Sequence, residues 1–308
     1  MASEADLKPR GFWSPGLAVF FSSFSLFLFA AVSPSVYPGD SGLISFASFF
    51  LGSAHPPGYP LFVLLGKLFT FIPLGNVAFK VNLVAAAFGA MACFLAYETA
   101  LYVTKNPVAS LLAPLVALVA PSFILQSSMA KGGIYTLNAF LVMLVYYLGL
   151  RSLREGDSFK YLVLASFLFG IGTADHHTIG LMLFPVVYVF MAKRRELPFG
   201  TAALSLLLSI AGFAVYLHLY LRTIVHPFEV YSEVGSLGDF FTVLFRKGYS
   251  TPTIRALESA SSGMTGWLYG AKNVVELMST AFHPVIWIFI ASGLAGMFKE
   301  RRTFWFQV

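Results

Sequence analysis

Apolar residues in this chain come in runs of 14 to 25, and most of its few charges fall between those runs. A helix that crosses a bilayer needs about 20 predominantly apolar residues. Eight runs meet or approach that length: 15–33, 79–103, 107–126, 134–150, 159–174, 179–192, 201–221 and 282–298. Charged residues make up only 11% of the 308, with mean hydropathy +0.77, where a soluble domain carries about 25%. So few charges cannot cover a soluble surface. The expectation is an all-α, polytopic membrane protein with eight spans in one transmembrane domain, 1–308. The one cysteine, Cys93, lies inside an apolar run, which excludes a disulfide framework and a Cys-x-x-Cys metal site.

Alternate connections carry unequal positive charge. One set holds twelve cations: Lys8, Arg10, Lys105, Arg151, Arg154, Lys160, Lys193, Arg194, Arg195, Lys299, Arg301 and Arg302. The other holds eight: Lys67, Lys80, Lys131, Arg222, Arg246, Lys247, Arg255 and Lys272. Short loops rich in Lys and Arg face the cytoplasm, so both termini are expected there. The net charge of +6 is then an orientation signal and not a nucleic-acid surface. Ala31-Val32-Ser33 would suit signal cleavage, but the nineteen uncharged residues of 15–33 exceed a secretory core, and the span is read as retained.

With that orientation all six histidines and seven of the fourteen acids fall on or near the outer face. Glu98, inside the second span, is close enough to its cytoplasmic end to snorkel. Two outer connections are long, 34–78 and 222–281, and loops of that size carry function or structure of their own. In the first, 43–51 and 61–71 are apolar but too short to span. The spacing predicts two interfacial helices joined by the elbow His55-Pro56-Pro57-Gly58-Tyr59-Pro60, which proline keeps out of helix. In the second, 239–247 reads as an amphipathic helix ending in Arg246-Lys247, where cations suit the helix dipole.

Tyr37-Pro38-Gly39-Asp40-Ser41-Gly42, Ala54-His55-Pro56-Pro57-Gly58-Tyr59-Pro60-Leu61 and Leu65-Gly66-Lys67-Leu68-Phe69 carry a resemblance. So do Ile134-Tyr135-Thr136-Leu137-Asn138, Asp175-His176-His177-Thr178, Leu221-Arg222 and Arg246-Lys247-Gly248-Tyr249. Together they resemble, over roughly 15–250, a membrane family once described as a domain of unknown function, whose animal member is a protein O-mannosyltransferase. The layout is similar to that of GT-C glycosyltransferases. The resemblance implies an extracytoplasmic active site in a bacterial inner or ER-type membrane, among membrane lipids. It also implies a hexose, mannose first, on a polyprenyl (dolichyl-type) phosphate, and inverting transfer to an acceptor protein or glycan, a Ser/Thr hydroxyl first. It carries no cofactor. It places Tyr59, Tyr135 and Asn138 at the substrate. Gly133 departs from it, since the family pattern has Glu there, and the chain stops at Val308, soon after Arg301-Arg302, where members continue. A core module or a partner subunit is the expectation.

Transfer from a lipid phosphate needs one base for the acceptor proton and positive charge for the departing phosphate. The phosphodiester is already a fair leaving group, so the two carboxylates of a glycosidase are not required. Asp40 is the candidate base, although Pro-Gly-Asp-Ser-Gly is also plain turn chemistry. His55, on the same face, reads either as a site residue or as a hydrogen-bonded loop histidine. Asp175-His176-His177 lies between spans of sixteen and fourteen residues, and sixteen cover about 24 Å of a core about 30 Å thick. The turn should therefore sit below the outer surface, binding phosphate or positioning the acceptor. No His-Glu-x-x-His or paired spacing argues for a metal there. Arg222, Arg246 and Lys247 are candidate phosphate clamps, with snorkelling as the ordinary reading of Arg222. Lys67 and Lys131 are weaker candidates of the same kind. The rival functions are a transporter, for which no matched halves are evident, and a non-catalytic subunit of GT-C architecture.

Overall fold

The computed structural model describes residues 14–155, 159–225 and 231–247, and within these the only regular elements are helices. In chain order they are α1 (Pro15–Ala30), α2 (Ser41–Phe50), α3 (Pro60–Phe69), α4 (Val77–Thr104), α5 (Pro107–Ser110), α6 (Leu112–Leu118), α7 (Pro121–Gln126) and α8 (Ala130–Arg154). They continue as α9 (Phe159–Thr173), a 3-10 turn (His177–Met182), α10 (Leu183–Ala192), α11 (Phe199–Phe213), a second 3-10 turn (Ala214–Tyr216), α12 (Leu217–Val225) and α13 (Leu237–Leu244).

The long helices pack in a row: α1 on α4, α4 on α8, α8 on α9, α9 on α11. Lipid is as apolar as leucine, so such packing is stabilised by close approach more than by escape from water. The row is built from small residues accordingly. α4 buries Ala85, Ala86, Gly89, Ala90, Ala92 and Cys93, and where α9 crosses α11 a Cβ on Gly170 or Gly212 would strike the partner helix's own backbone. Glu98 of α4 is half-buried, with its carboxylate against Gly16 at the start of α1.

Among the described residues three apolar segments are long enough to cross a membrane: Val77–Thr104, Ala130–Arg154 and Phe199–Val225, the last joined through the second 3-10 turn. The eight-span count is not carried by the described helices. Run 107–126 is cut into α5, α6 and α7; the break before α7 arises because Pro121 holds Ala120 extended (φ −84°, ψ 112°) and a residue before proline avoids helix. Run 179–192 begins as a 3-10 turn and becomes α-helical only at Leu183. The first run ends as helix at Ala30, and Ser33 N–H instead donates to the Ser128 carbonyl, 2.9 Å away. Run 282–298 and most of the second outer segment lie outside the described residues.

The two short helices of the first outer segment form where the spacing placed them, within two residues at each end. They are more deeply built in than interfacial helices would need to be. Ile44, Ala47, Phe62 and Val63 are fully buried in one core with Val81, Val84, Ile134 and Leu137 of α4 and α8. Their elbow turns on two left-handed residues, Gly58 (φ +87°) and Tyr59 (φ +47°). At Gly58 a Cβ would also lie 2.7 Å from the Leu219 side chain of α12, so glycine is required twice over. α13 confirms a helix in the second segment but starts two residues earlier than read and ends at Leu244, leaving Arg246 and Lys247 just past its cap.

Candidate functional site

Asp40 occupies the N-cap position of α2, where aspartate ordinarily accepts from its own helix. Here its backbone is already helical (φ −72°, ψ −2°) and its side chain makes no capping bond. The carboxylate turns instead to two residues distant in sequence. His55 Nε2 donates to Oδ2 at 3.1 Å, and Lys131 Nζ donates to the same oxygen. His55 is buried and held in the elbow, its ring edge-on to Tyr59 with centroids 5.3 Å apart. The Asp40 side chain remains 42% exposed. The hydrogen bond from Lys131 lowers the Asp40 pKa against the opposing effect of partial burial, and the charges of Lys131 and His55 lower it further. Asp40 is ionised at neutral pH.

Lys131 arrives through a set of backbone anchors. Ser41 Oγ accepts from Lys131 N–H at 3.3 Å, and Asn82 Oδ1 from Ala130 N–H at 2.7 Å. The Asn82 amide in turn donates to the carbonyls of Ser33 and Ser35, both at 2.9 Å. One buried asparagine of α4 thus fixes both the strand of chain leading to Asp40 and the first turn of α8 that carries Lys131.

Beside this corner lies a group of rings. Tyr59 and His176 are nearly parallel at 6.4 Å, His176 and His177 stack at 4.3 Å, and Tyr135 meets His176 edge-on at 5.4 Å. The His176 tautomer follows from its neighbours. Thr178 N–H donates to Nδ1 at 3.3 Å, while Thr178 Oγ1, 2.8 Å from Nδ1, itself accepts from the Asn138 amide at 2.9 Å. Nδ1 is therefore the acceptor and Nε2 carries the proton. Burial foremost, then His177, Arg246 and Lys131, pushes the His176 pKa down to about 4, and burial and Arg246 lower that of His177. At neutral pH His176 offers a hydrogen bond without a charge.

Asp175 differs from its neighbours. It is fully buried, neither carboxyl oxygen has a hydrogen-bond partner among the described residues, and burial raises its pKa well above the usual range. Arg222 goes elsewhere: its guanidinium donates to the Phe50 carbonyl at 3.3 Å, the far end of α2 from Asp40, about 15 Å away by helical rise. Lys67 likewise donates to the Phe49 carbonyl at 2.6 Å. Arg246 acts electrostatically on both histidines, and Lys247 caps α13 with its backbone at the Thr242 carbonyl. Gly133 faces away from Asp40 into the core, where a Cβ would lie 2.5 Å from the Phe62 ring. The structure therefore gathers Asp40, His55, Tyr59, Tyr135, Asn138, His176, His177 and Arg246, and leaves Arg222 apart.

Three residues at this site were undervalued or absent in the sequence reading. Lys131 was graded with Lys67, and Thr178 and Asn82 were not singled out. A signal for Lys131 exists: a cation in the first turn of a helix opposes the helix dipole and calls for an anion nearby. Among the described residues no group of three or more His, Cys, Asp or Glu side chains is placed to hold a metal ion.

A family model described as the protein O-mannosyl-transferase TMEM260 N-terminal domain matches residues 40–198. That span contains every gathered residue except Arg246. The chain is similar to the protein O-mannosyl-transferase TMEM260 of Mus musculus, 30% identical over 272 residues, covering 86% of this chain and 38% of the mouse protein. It is also similar to the protein O-mannosyl-transferase tmem260 of Dictyostelium discoideum, 26% identical over 238 residues, 71% of this chain and 29% of that protein. The chain spans well under half the length of either relative.

Proposed function

The chain belongs to the family of the protein O-mannosyl-transferase TMEM260 N-terminal domain, and on that basis we propose that it transfers a hexose, mannose first, from a polyprenyl phosphate to a protein Ser/Thr hydroxyl. The observation that carries the reading is Asp40: an ionised, part-exposed carboxylate held by Lys131 and His55 beside a wall of tyrosine and histidine rings. In the proposed step the acceptor hydroxyl gives its proton to Asp40 as its oxygen bonds to the anomeric carbon. The bond from that carbon to the phosphate oxygen breaks, and the lipid phosphate leaves with both electrons. One displacement inverts the anomeric centre, as in the GT-C class. Arg246 is the clamp for the departing phosphate, because the neutral His176 can donate only its Nε2–H. The site faces the extracytoplasmic side, with both termini cytoplasmic.

The test is transfer of label from polyprenyl-phosphate [³H]mannose to a serine- and threonine-bearing protein by the purified chain in detergent, alone and with a candidate partner subunit. Asp40→Asn keeps the shape but cannot take the proton, and it should reduce transfer by about 10²–10⁴-fold, the range for a lost general base. Retention of more than about a tenth of turnover places the base elsewhere.

A further inference from the structure

The two contacts to Asp40 fall on the same oxygen. His55 Nε2 and Lys131 Nζ both donate to Oδ2, and no described residue donates to Oδ1. The carboxylate also forgoes the capping bond that its position at α2 would offer. Something stronger than local helix chemistry sets its direction. Lys131 has the means. Its backbone is tied to Ser41, the residue after Asp40, while its side chain reaches Asp40 itself, so one residue of α8 grips the start of α2 at two points. The arrangement also resolves the conflict of a cation in the first turn of α8, which the helix dipole disfavours unless an anion compensates it.

We infer that Lys131 is a positioning residue: with His55 it holds Asp40 by Oδ2 and so presents Oδ1 to the acceptor hydroxyl. The inference rests on Asp40 being the base. The proton leaves the acceptor oxygen for Oδ1, and Oδ2 keeps its two donors throughout. Lys131 touches neither the acceptor nor the sugar in this role. It differs from a phosphate clamp, whose loss would weaken donor binding and leave the ionisation of Asp40 alone. Among the described residues the charged and titratable groups that face Asp40 are Lys131 from α8 and His55 from the elbow.

The experiment follows the Asp40 carboxylate in the full chain by pH-difference infrared spectroscopy without substrate, its band assigned by loss in Asp40→Asn. Lys131→Met should raise the Asp40 midpoint by about one pH unit or more, the scale of removing an opposite charge at 4–6 Å, and Lys131→Arg should keep it low. Lys131→Gln, which retains a donor without the charge, serves as a second neutral variant if the methionine form does not fold. The acid limb of kcat/KM should move with the midpoint while the KM for donor stays put. An unmoved midpoint overturns the inference whatever the activity. A moved midpoint with an unmoved acid limb, or with a raised donor KM alone, overturns it as well. A moved midpoint together with an active Asp40→Asn refutes the base reading specifically, since Oδ1 then takes no proton.

Discussion

Asp40 and Asp175 are both acids of the candidate region and differ in almost everything else. Asp40 is part-exposed, doubly hydrogen-bonded and pushed toward ionisation. Asp175 is sealed, unpartnered among the described residues and pushed toward protonation. Two carboxylates whose surroundings drive their pKa values apart are suited to different roles. In the sequence both are outer-face acids in polar turns, Asp40 as the candidate base and Asp175 in a turn read as binding phosphate or positioning the acceptor. Burial leaves Asp175 no exposed surface and favours its protonated form, which suits it less to taking a proton.

The sharpest way to break this contrast is to neutralise each acid in turn. Asp40→Asn should cost about 10²–10⁴ in turnover, whereas Asp175→Asn should stay within roughly tenfold of wild type, far above that range. Equal losses in the two variants would collapse the distinction. The cations divide in the same way. Arg246→Ala should weaken donor binding by about 1.5–3 kcal/mol, the value of a hydrogen bond to a charged group, while Arg222→Ala leaves donor affinity unchanged and loosens α2 at the Phe50 carbonyl. Titration calorimetry with a polyprenyl-phosphate sugar separates the two.

Stability against pH sharpens the contrast further. The folded pKa of Asp175 is raised above its ordinary 3.8, so its contribution is intact below that pH and is lost as pH rises. Asp175→Asn should therefore raise thermal stability at pH 7.5, by more than about 1 kcal/mol for each pKa unit removed, with the gain vanishing near pH 4. His176 acts with the opposite sign and more weakly. Its folded pKa, about 4, lies below its ordinary 6.5, so stability is lost as pH falls between those values. The two slopes oppose each other in wild type, and Asp175→Asn should unmask the histidine limb in a melting series from pH 7 to 4. His176→Gln on that background should flatten it.

How far the site was legible varied residue by residue. Asp40 and His55 stood out because each lies in an unusual local context, a Pro-Gly turn and a triple-proline elbow. The ends of α2 and α3 were legible for the same reason, since proline and glycine act within a residue or two of themselves. The breaks in run 107–126 were not legible in its hydropathy, which is continuous, although Pro121 sets one of them. Arg222 donates to the Phe50 carbonyl, a partner its sequence does not rank, because an arginine at a helix end has several carbonyls and phosphates within reach. Thr178 was passed over as a small polar residue, although it fixes the His176 tautomer by accepting from Asn138, forty positions away.

What the sequence determined by itself is what depends on near neighbours: the helical class, the apolar runs, the elbow and the short helices around it. Only the tertiary structure decided which acid is paired and part-exposed, which is sealed, and which cation meets Asp40. Lys131 lies ninety-one positions from Asp40, and nothing local to either residue encodes their meeting. That meeting depends on Asn82 and Ser41 pinning α8 against α2, and on α4 being small enough along one face for α8 to come close. Charge and hydrogen bonding act through space at distances of a few ångströms, so the ionisation of a carboxylate is a property of the fold around it. The chain order sets which groups exist; packing sets which of them carry charge at the site.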